Sequence, residues 1–151
     1  MRIWLINRYF HPDHSATSQM LSDLAFLLAG RGHDVFVITS RQRYDAPDAR
    51  LVAEEHVNGV AVHRVWTSRF GRGFLPGRAV DYLTFYLSTA WRLLRLLRRG
   101  DVVVAKTDPP LISVPVGWVA RMRGARLVNW LQDLFPEVAA ALGIRLARGT
   151  A

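Results

Sequence analysis

The sequence predicts a doubly wound α/β domain with a mostly parallel sheet, on three observations. Short runs of consecutive Val, Ile and Leu recur along the chain, as expected of strands buried on both faces. Longer segments with helical spacing separate those runs, which is the alternation of a layered α/β fold. The chain has 151 residues, 50% of them hydrophobic, enough for one domain with a proper core and too few for two.

The elements follow in order. Arg2 to Asn7 reads as a buried opening strand, followed by a polar loop, Tyr9 to Ser15. Thr17 to Arg31 is helical, with Met20, Leu21, Leu24, Ala25, Leu27 and Leu28 as its apolar face and Gly32 closing it. Asp34 to Ser40 is a second strand, and Arg41 to Val57 reads as a polar connection. After Asn58-Gly59, Val60 to Val65 is a third, short strand. An Arg/Gly/Pro loop, Trp66 to Gly77, leads into a long helix over Arg78 to Arg99. Asp101 to Lys106 is a fourth strand, Leu111 to Arg123 a helix and Arg126 to Leu131 a fifth strand. Gln132 to Glu137 then leads into a last helix. No internal repeat is visible.

Composition excludes several classes. Without cysteine there is no disulfide framework, no thiolate nucleophile and no Cys-based zinc site, which fits a reducing compartment. The longest apolar stretch, Leu111 to Ala120, is interrupted by Ser, Pro and Gly and falls short of the roughly 20 residues a bilayer span takes. The N-terminus lacks the pattern of a signal peptide. The expectation is a cytoplasmic protein, soluble or peripheral on the inner face of the cytoplasmic membrane.

The net charge is +8, and nearly all the excess lies in residues 64 to 100, where eight arginines face one acid, Asp81. Arg92, Arg95, Arg98 and Arg99 fall within about 120° of arc on the long helix. That places a basic field beside Tyr82, Tyr86 and Trp91, suited to an anionic interface. The same pattern also describes a sheet-covering helix with leucines in the core and arginines simply outward. Arg69, Arg72 and Arg78 in the preceding loop and helix start, with Arg92 and Arg95, are the candidates for facing a membrane. Nucleic acid is not expected, because the arginines lie on one helix and loop without the aromatic sheet positions of a single-strand binder.

Ligands collect at the carboxyl ends of the strands in such sheets. The first of those turns has no glycine, so it is not the G-x-G-x-x-G cradle of a dinucleotide. His14, Ser15, Ala16 and Thr17 stand at a helix N-terminus whose free N–H groups suit an anion, or else Ser15 or Thr17 is an ordinary N-cap. Thr107 and Asp108 are displayed by the turn before Pro109-Pro110, with a helix cap as the alternative for Asp108. Gln132 and Asp133 follow the fifth strand, where a carboxylate suits proton transfer or hydroxyl recognition, or caps the next helix. Gly71 to Gly77 reads as a flexible basic loop. The five histidines, with no H-x₃-H pair and no H-E-x-x-H, give no metal site, although His11 and His14 lie in the candidate ligand loop.

These pieces together resemble the N-terminal half of a family-4 glycosyltransferase of GT-B fold. The resemblance rests on the loop Tyr9-Phe10-His11-Pro12, the turn Leu28 to Val35 running into Val37-Ile38-Thr39-Ser40, Asp108-Pro109-Pro110, and Trp130 to Glu137. The Gln132-Asp133-Leu134-Phe135-Pro136-Glu137 run is similar to the subgroup moving amino sugars or deoxysugars in O-antigen, capsule or colanic acid synthesis. The first loop departs from the family in carrying Asp13-His14-Ser15-Ala16 where a glycine pair is common.

The resemblance implies sugar transfer from a nucleotide-sugar donor to a lipid-linked or glycan acceptor, with retention of configuration, without metal and without a cofactor. It implies that residues 1 to 151 form the acceptor-side domain, that a second domain outside this chain binds the donor, and that the chain alone is inactive. Asp133 would be the catalytic residue, with His14 to Thr17, Thr107, Asp108 and Gln132 binding substrate. The alternative is a non-catalytic membrane-recruiting subunit that pairs with a separate donor-binding subunit.

Overall fold

The computed structural model describes residues 1–46, 48–71, 73 and 75–132. Its elements in chain order are β1 (Arg2–Ile6), α1 (Ala16–Gly30), β2 (Asp34–Ser40), β3 (Glu54–Val57), β4 (Val60–Val65), α2 (Leu75–Leu96), β5 (Val102–Lys106), α3 (Ser113–Arg123) and β6 (Arg126–Trp130). They form one six-stranded sheet in the order β3-β4-β2-β1-β5-β6. Every pairing is parallel except that of β3 with β4.

The central strand β1 sits between β2 and β5, with Trp4 opposite Phe36 on one side and Val103 on the other. Because side chains alternate across a strand, β1 feeds two cores. Trp4 and Ile6 join Phe85, Leu93 and Leu97 of the α2 side and Val116 of α3. Ile3 and Leu5 join Leu21 and Ala25 of α1. Burial on both faces is why these strands read as continuous apolar runs.

The helix α1 departs from its expected face. Met20 and Leu27 are exposed, and the buried positions are Ser18, Leu21, Ser22 and Ala25. Small residues let the helix lie close to the sheet, and their hydroxyls are used: Ser18 donates to the Asp13 carbonyl at 3.0 Å, and the His11 N–H donates to Ser22 at 3.2 Å. The helix ends as expected at Gly32, whose φ is +83°. The Gly32 N–H bonds to Ala29 O and the His33 N–H to Leu28 O, the paired bonds of a Schellman end.

The polar connection expected over Arg41 to Val57 contains a strand, β3. Its four residues, Glu54-Glu55-His56-Val57, carry too little apolar character to read as buried, and the strand exists by pairing with β4 across a two-residue turn. Asn58 and Gly59 both have positive φ, 49° and 79°, the requirement of the hairpin turn that suits twisted strands. The helix α2 begins at Leu75 rather than Arg78, with Pro76 in its first turn, where a missing N–H costs nothing, and ends at Leu96. Asp108 does not cap α3: the cap position falls to Ile112, with no side-chain cap bond. The helix expected beyond Glu137 lies outside the described residues.

Candidate functional site

At the carboxyl edge of the sheet, the start of α1 and the end of β6 bound a cleft of about 490 Å³ lined by Ala16, Thr17, Met20, Trp130, Leu131 and Gln132. The first loop is organised by Asp13, a buried carboxylate that accepts from the Ser15 N–H at 2.8 Å and from the Tyr44 N–H. With the Ser15 N–H occupied, the donors left at the start of α1 are those of Ala16, Thr17 and Ser18, which have no acceptor one turn earlier in the helix. Ser15 holds the cap position by its backbone but makes no side-chain cap bond, and its buried hydroxyl has no partner.

Thr17 links this loop to β5. Its hydroxyl donates to Asp108 Oδ2 at 3.5 Å, and its carbonyl accepts from Lys106 Nζ at 2.7 Å. Lys106 is fully buried, with its ammonium 4.6 Å from the Trp130 ring centroid. Burial pushes its pKa down to about 8, against the opposing pull of Asp108. Asp108 is raised from the usual carboxylate range by burial, while Arg8, the Thr17 bond, Lys106 and Arg78 act in the other direction. The Gln132 N–H donates to Thr107 Oγ1 at 3.4 Å, and the Gln132 amide reaches Met20 Sδ at 3.0 Å.

The structure therefore brings Ala16, Thr17, Thr107, Asp108 and Gln132 to one edge. His14 is elsewhere: it lines a separate hollow with His11, Asp23 and Phe26 on the outer side of α1. Asp133 lies outside the described residues. Among the described residues no cluster of His, Cys, Asp or Glu could hold a metal.

Two residues of the site, Lys106 and Arg8, open strand-end loops that the sequence marks for attention but are given no role by it. Lys106 is the chain's sole lysine among 19 arginines, and it ends a buried strand. That isolation, at the end of a buried strand, is the signal the sequence offers. Arg8, at the end of β1, is buried beside Asp81 at 3.8 Å, with its guanidinium 5.1 Å from the Tyr82 ring. No local pattern marks it, since its partners come from α2.

A second concavity opens on the other side of the same edge. It is a groove of about 650 Å³ between the segments after β2 and β4 and the start of α2. Its rim is held by Asp81, a buried carboxylate that accepts from Ser68 Oγ at 2.5 Å, the Phe70 N–H at 3.1 Å and the Gly71 N–H at 3.0 Å. Arg69 lines this groove. Arg78 donates to Tyr82 Oη at 2.7 Å and borders a small cavity with Arg8 and Tyr9. Arg92 is tied to Glu54 and lies 3.0 Å from His63 Nδ1, so it bridges α2 to the hairpin. Arg95 stacks 4.4 Å over Trp91. Arg72 lies outside the described residues.

The leucines of α2 divide between two faces. Leu93, with Leu97 just past the helix end, is core, but Val80, Leu83, Leu87 and Trp91 are exposed in one stripe beside the arginines. No helix among the described residues is long and apolar enough to cross a membrane.

Residues 16–149 match the family model of the glycosyl transferase 4-like domain. No curated protein matches the chain.

Proposed function

The chain belongs to the glycosyl transferase 4-like domain family, and on that premise we propose that it is the acceptor-binding half of an enzyme that moves a sugar from a nucleotide sugar to a lipid-linked or glycan acceptor in cell-surface glycan synthesis. The O-antigen, capsule or colanic acid subgroup is the setting that the Gln132 to Glu137 run suggests. The observation that carries the reading is that Thr17, which lines the cleft at the open N-terminus of α1, is bonded to both Lys106 and Asp108.

Departure of a nucleoside diphosphate from an anomeric carbon builds negative charge on the leaving phosphate. The first-turn N–H groups of α1, fixed in place before the reaction, offset part of that charge. Lys106 holds the carbonyl of Thr17 and so anchors the turn that presents them. Asp108 and Gln132 stand at the same edge as hydrogen-bonding groups for sugar hydroxyls. Asp133 is proposed to orient the acceptor hydroxyl or take its proton. Retention of configuration and independence from metal are carried over from the family resemblance. The donor is proposed to be held mainly by a second domain outside this chain.

On this reading the exposed stripe of α2, with Arg69, Arg78 and Arg95 around it, faces the inner surface of the cytoplasmic membrane. Apolar side chains beside cations suit an anionic lipid interface.

Sugar transfer is the test, measured in the complete enzyme with Asp133→Asn. We expect turnover to fall about a hundredfold or more, the scale of a lost general base; unchanged turnover removes Asp133 from the chemistry. For the membrane part, the chain is titrated with phosphatidylglycerol vesicles. Binding that weakens with salt is expected, and no binding overturns it.

A further inference from the structure

The groove beside α2 has a chemistry distinct from the cleft. Three guanidiniums line it, those of Arg41, Arg50 and Arg69. None is ion-paired among the described residues, whereas Arg2, Arg8, Arg43, Arg64 and Arg92 each have a carboxylate partner. Among the described residues no acidic side chain lines the groove. Beside neutral polar side chains, the wall carries apolar surface, with Trp66 and Phe70 both 62% exposed and Val80 at 42%.

Thr67 supplies an independent sign. It also lines the groove, is 4% exposed, and its buried hydroxyl has no hydrogen-bond partner. Leaving such a group unbonded is costly, and a bound phosphate oxygen would satisfy it. Unpaired cations repel one another and are stabilised by an anion. Exposed tryptophan and phenylalanine gain by covering a hydrocarbon surface.

We propose that this groove binds a single amphiphilic phosphate, an alkyl or polyprenyl phosphate or diphosphate. Its head sits between Arg41, Arg50, Arg69 and the Thr67 hydroxyl, and the first part of its chain lies along Trp66, Phe70 and Val80. The inference rests on the acceptor reading and deepens it: the groove holds the lipid end of the acceptor at the sheet edge that also bears the cleft. A free phosphate satisfies only the arginines and the Thr67 hydroxyl, and a neutral chain satisfies only the aromatic wall.

The purified chain is titrated by calorimetry with dodecyl phosphate below its micelle threshold, and in parallel with inorganic pyrophosphate and with dodecyl maltoside. Dodecyl phosphate is expected to bind at least about tenfold more tightly than either comparator. The double substitution Arg50→Ala, Arg69→Ala is expected to weaken it about tenfold or more, the loss of a charge-assisted contact. Trp66→Ala weakens it by a similar factor, with the thermal unfolding of both variants unchanged. Equal affinity for pyrophosphate, equal affinity for the maltoside, or an unaltered affinity in the arginine variant each overturns the proposal. So does loss of binding to phosphatidic acid vesicles in that variant with monomer binding retained, which would assign the arginines to bilayer headgroups.

Sugar transfer by the complete enzyme is followed alongside. Transfer without amphiphile binding removes the groove and leaves the glycosyltransferase reading intact. Binding without transfer to any acceptor does the reverse.

Discussion

The cleft under α1 and the groove beside α2 lie along the same carboxyl edge of one sheet, yet they treat charge in opposite ways. In the cleft the charges are buried and engaged: Lys106 bonds Thr17 O, and Thr17 bonds Asp108. In the groove the arginines lie at the surface without carboxylate partners among the described residues. Burial makes the cleft's charges expensive and holds them still, which suits positioning. Exposure leaves those of the groove available to an anion from outside. Charge excess alone, as counted along the sequence, does not separate these two uses.

Asp81 sits where the difference is sharpest, since it supports both regions. Its replacement by alanine strands the Ser68 hydroxyl and the Phe70 and Gly71 N–H groups and leaves Arg8 buried without its partner. We expect Asp81→Ala to cost about 3 kcal/mol or more in urea unfolding, the scale of breaking a buried pair. A loss below about 1 kcal/mol would show that the rim of the groove stands without it.

Lys106→Met separates positioning from stability. Sugar transfer by the complete enzyme is expected to fall about tenfold, one charge-assisted contact. Stability carries a sign of its own. The ammonium is harder to charge in the fold than in the unfolded chain, so the unfolded state binds more protons between pH 8 and 10.5. Wild type therefore gains stability across that window while the variant does not. Unfolding midpoints of the two proteins that stay parallel from pH 8 to 10.5 would contradict a buried charge at this position.

His63 gives a smaller effect of the same kind. Burial, then the charge of His56, lowers its pKa, and its ring stacks 5.9 Å from that of Trp4. A neutral imidazole accepts the contact from Arg92. Stability is expected to decline by about 1 kcal/mol or less as pH falls below 6.5 and His63 is forced to charge. In His63→Phe that component should vanish. Smallest of all is the effect of Arg50→Ala with Arg69→Ala on unfolding, within about 0.5 kcal/mol, as for exposed residues without partners. A larger loss would mean that these arginines hold the fold, and the contrast with the cleft would fail.

Most of the sheet was legible because burial on both faces writes itself as consecutive apolar residues. The spans Asp34–Ser40 and Val60–Val65 emerge with the bounds the sequence predicts. β3 was not legible, since a short edge strand owes its existence to the turn and to β4 rather than to its own residues. Within the site, Thr17, Thr107, Asp108 and Gln132 follow from the rule that ligands meet strand ends. His14 does not join them, because the Asp13 turn places it on the outer side of α1. Lys106 and Arg8 escape local reading for one reason: what makes them unusual is what they are buried against, and those partners lie up to 89 residues away in the chain. The exposure of Val80, Leu83, Leu87 and Trp91 was equally hidden, as a helix apolar on two sides looks from its sequence like one with a broad core face.

The hairpin of β3 and β4 has a consequence for how the protein behaves in company. Without β3, the sheet would end at Val60–Val65, a six-residue strand mostly buried, whose open backbone edge invites a strand from another molecule. β3 occupies that edge and replaces it with one of four residues carrying Glu54, Glu55 and His56. Glu55 is drawn back by Arg64 at 2.5 Å and Glu54 by Arg92, so the carboxylates are pinned along the border rather than free to swing aside. A neighbouring chain that tried to extend the sheet there would meet charged side chains already engaged along a strand too short to hold it. At high local concentration, such a border keeps one copy from zipping onto the next.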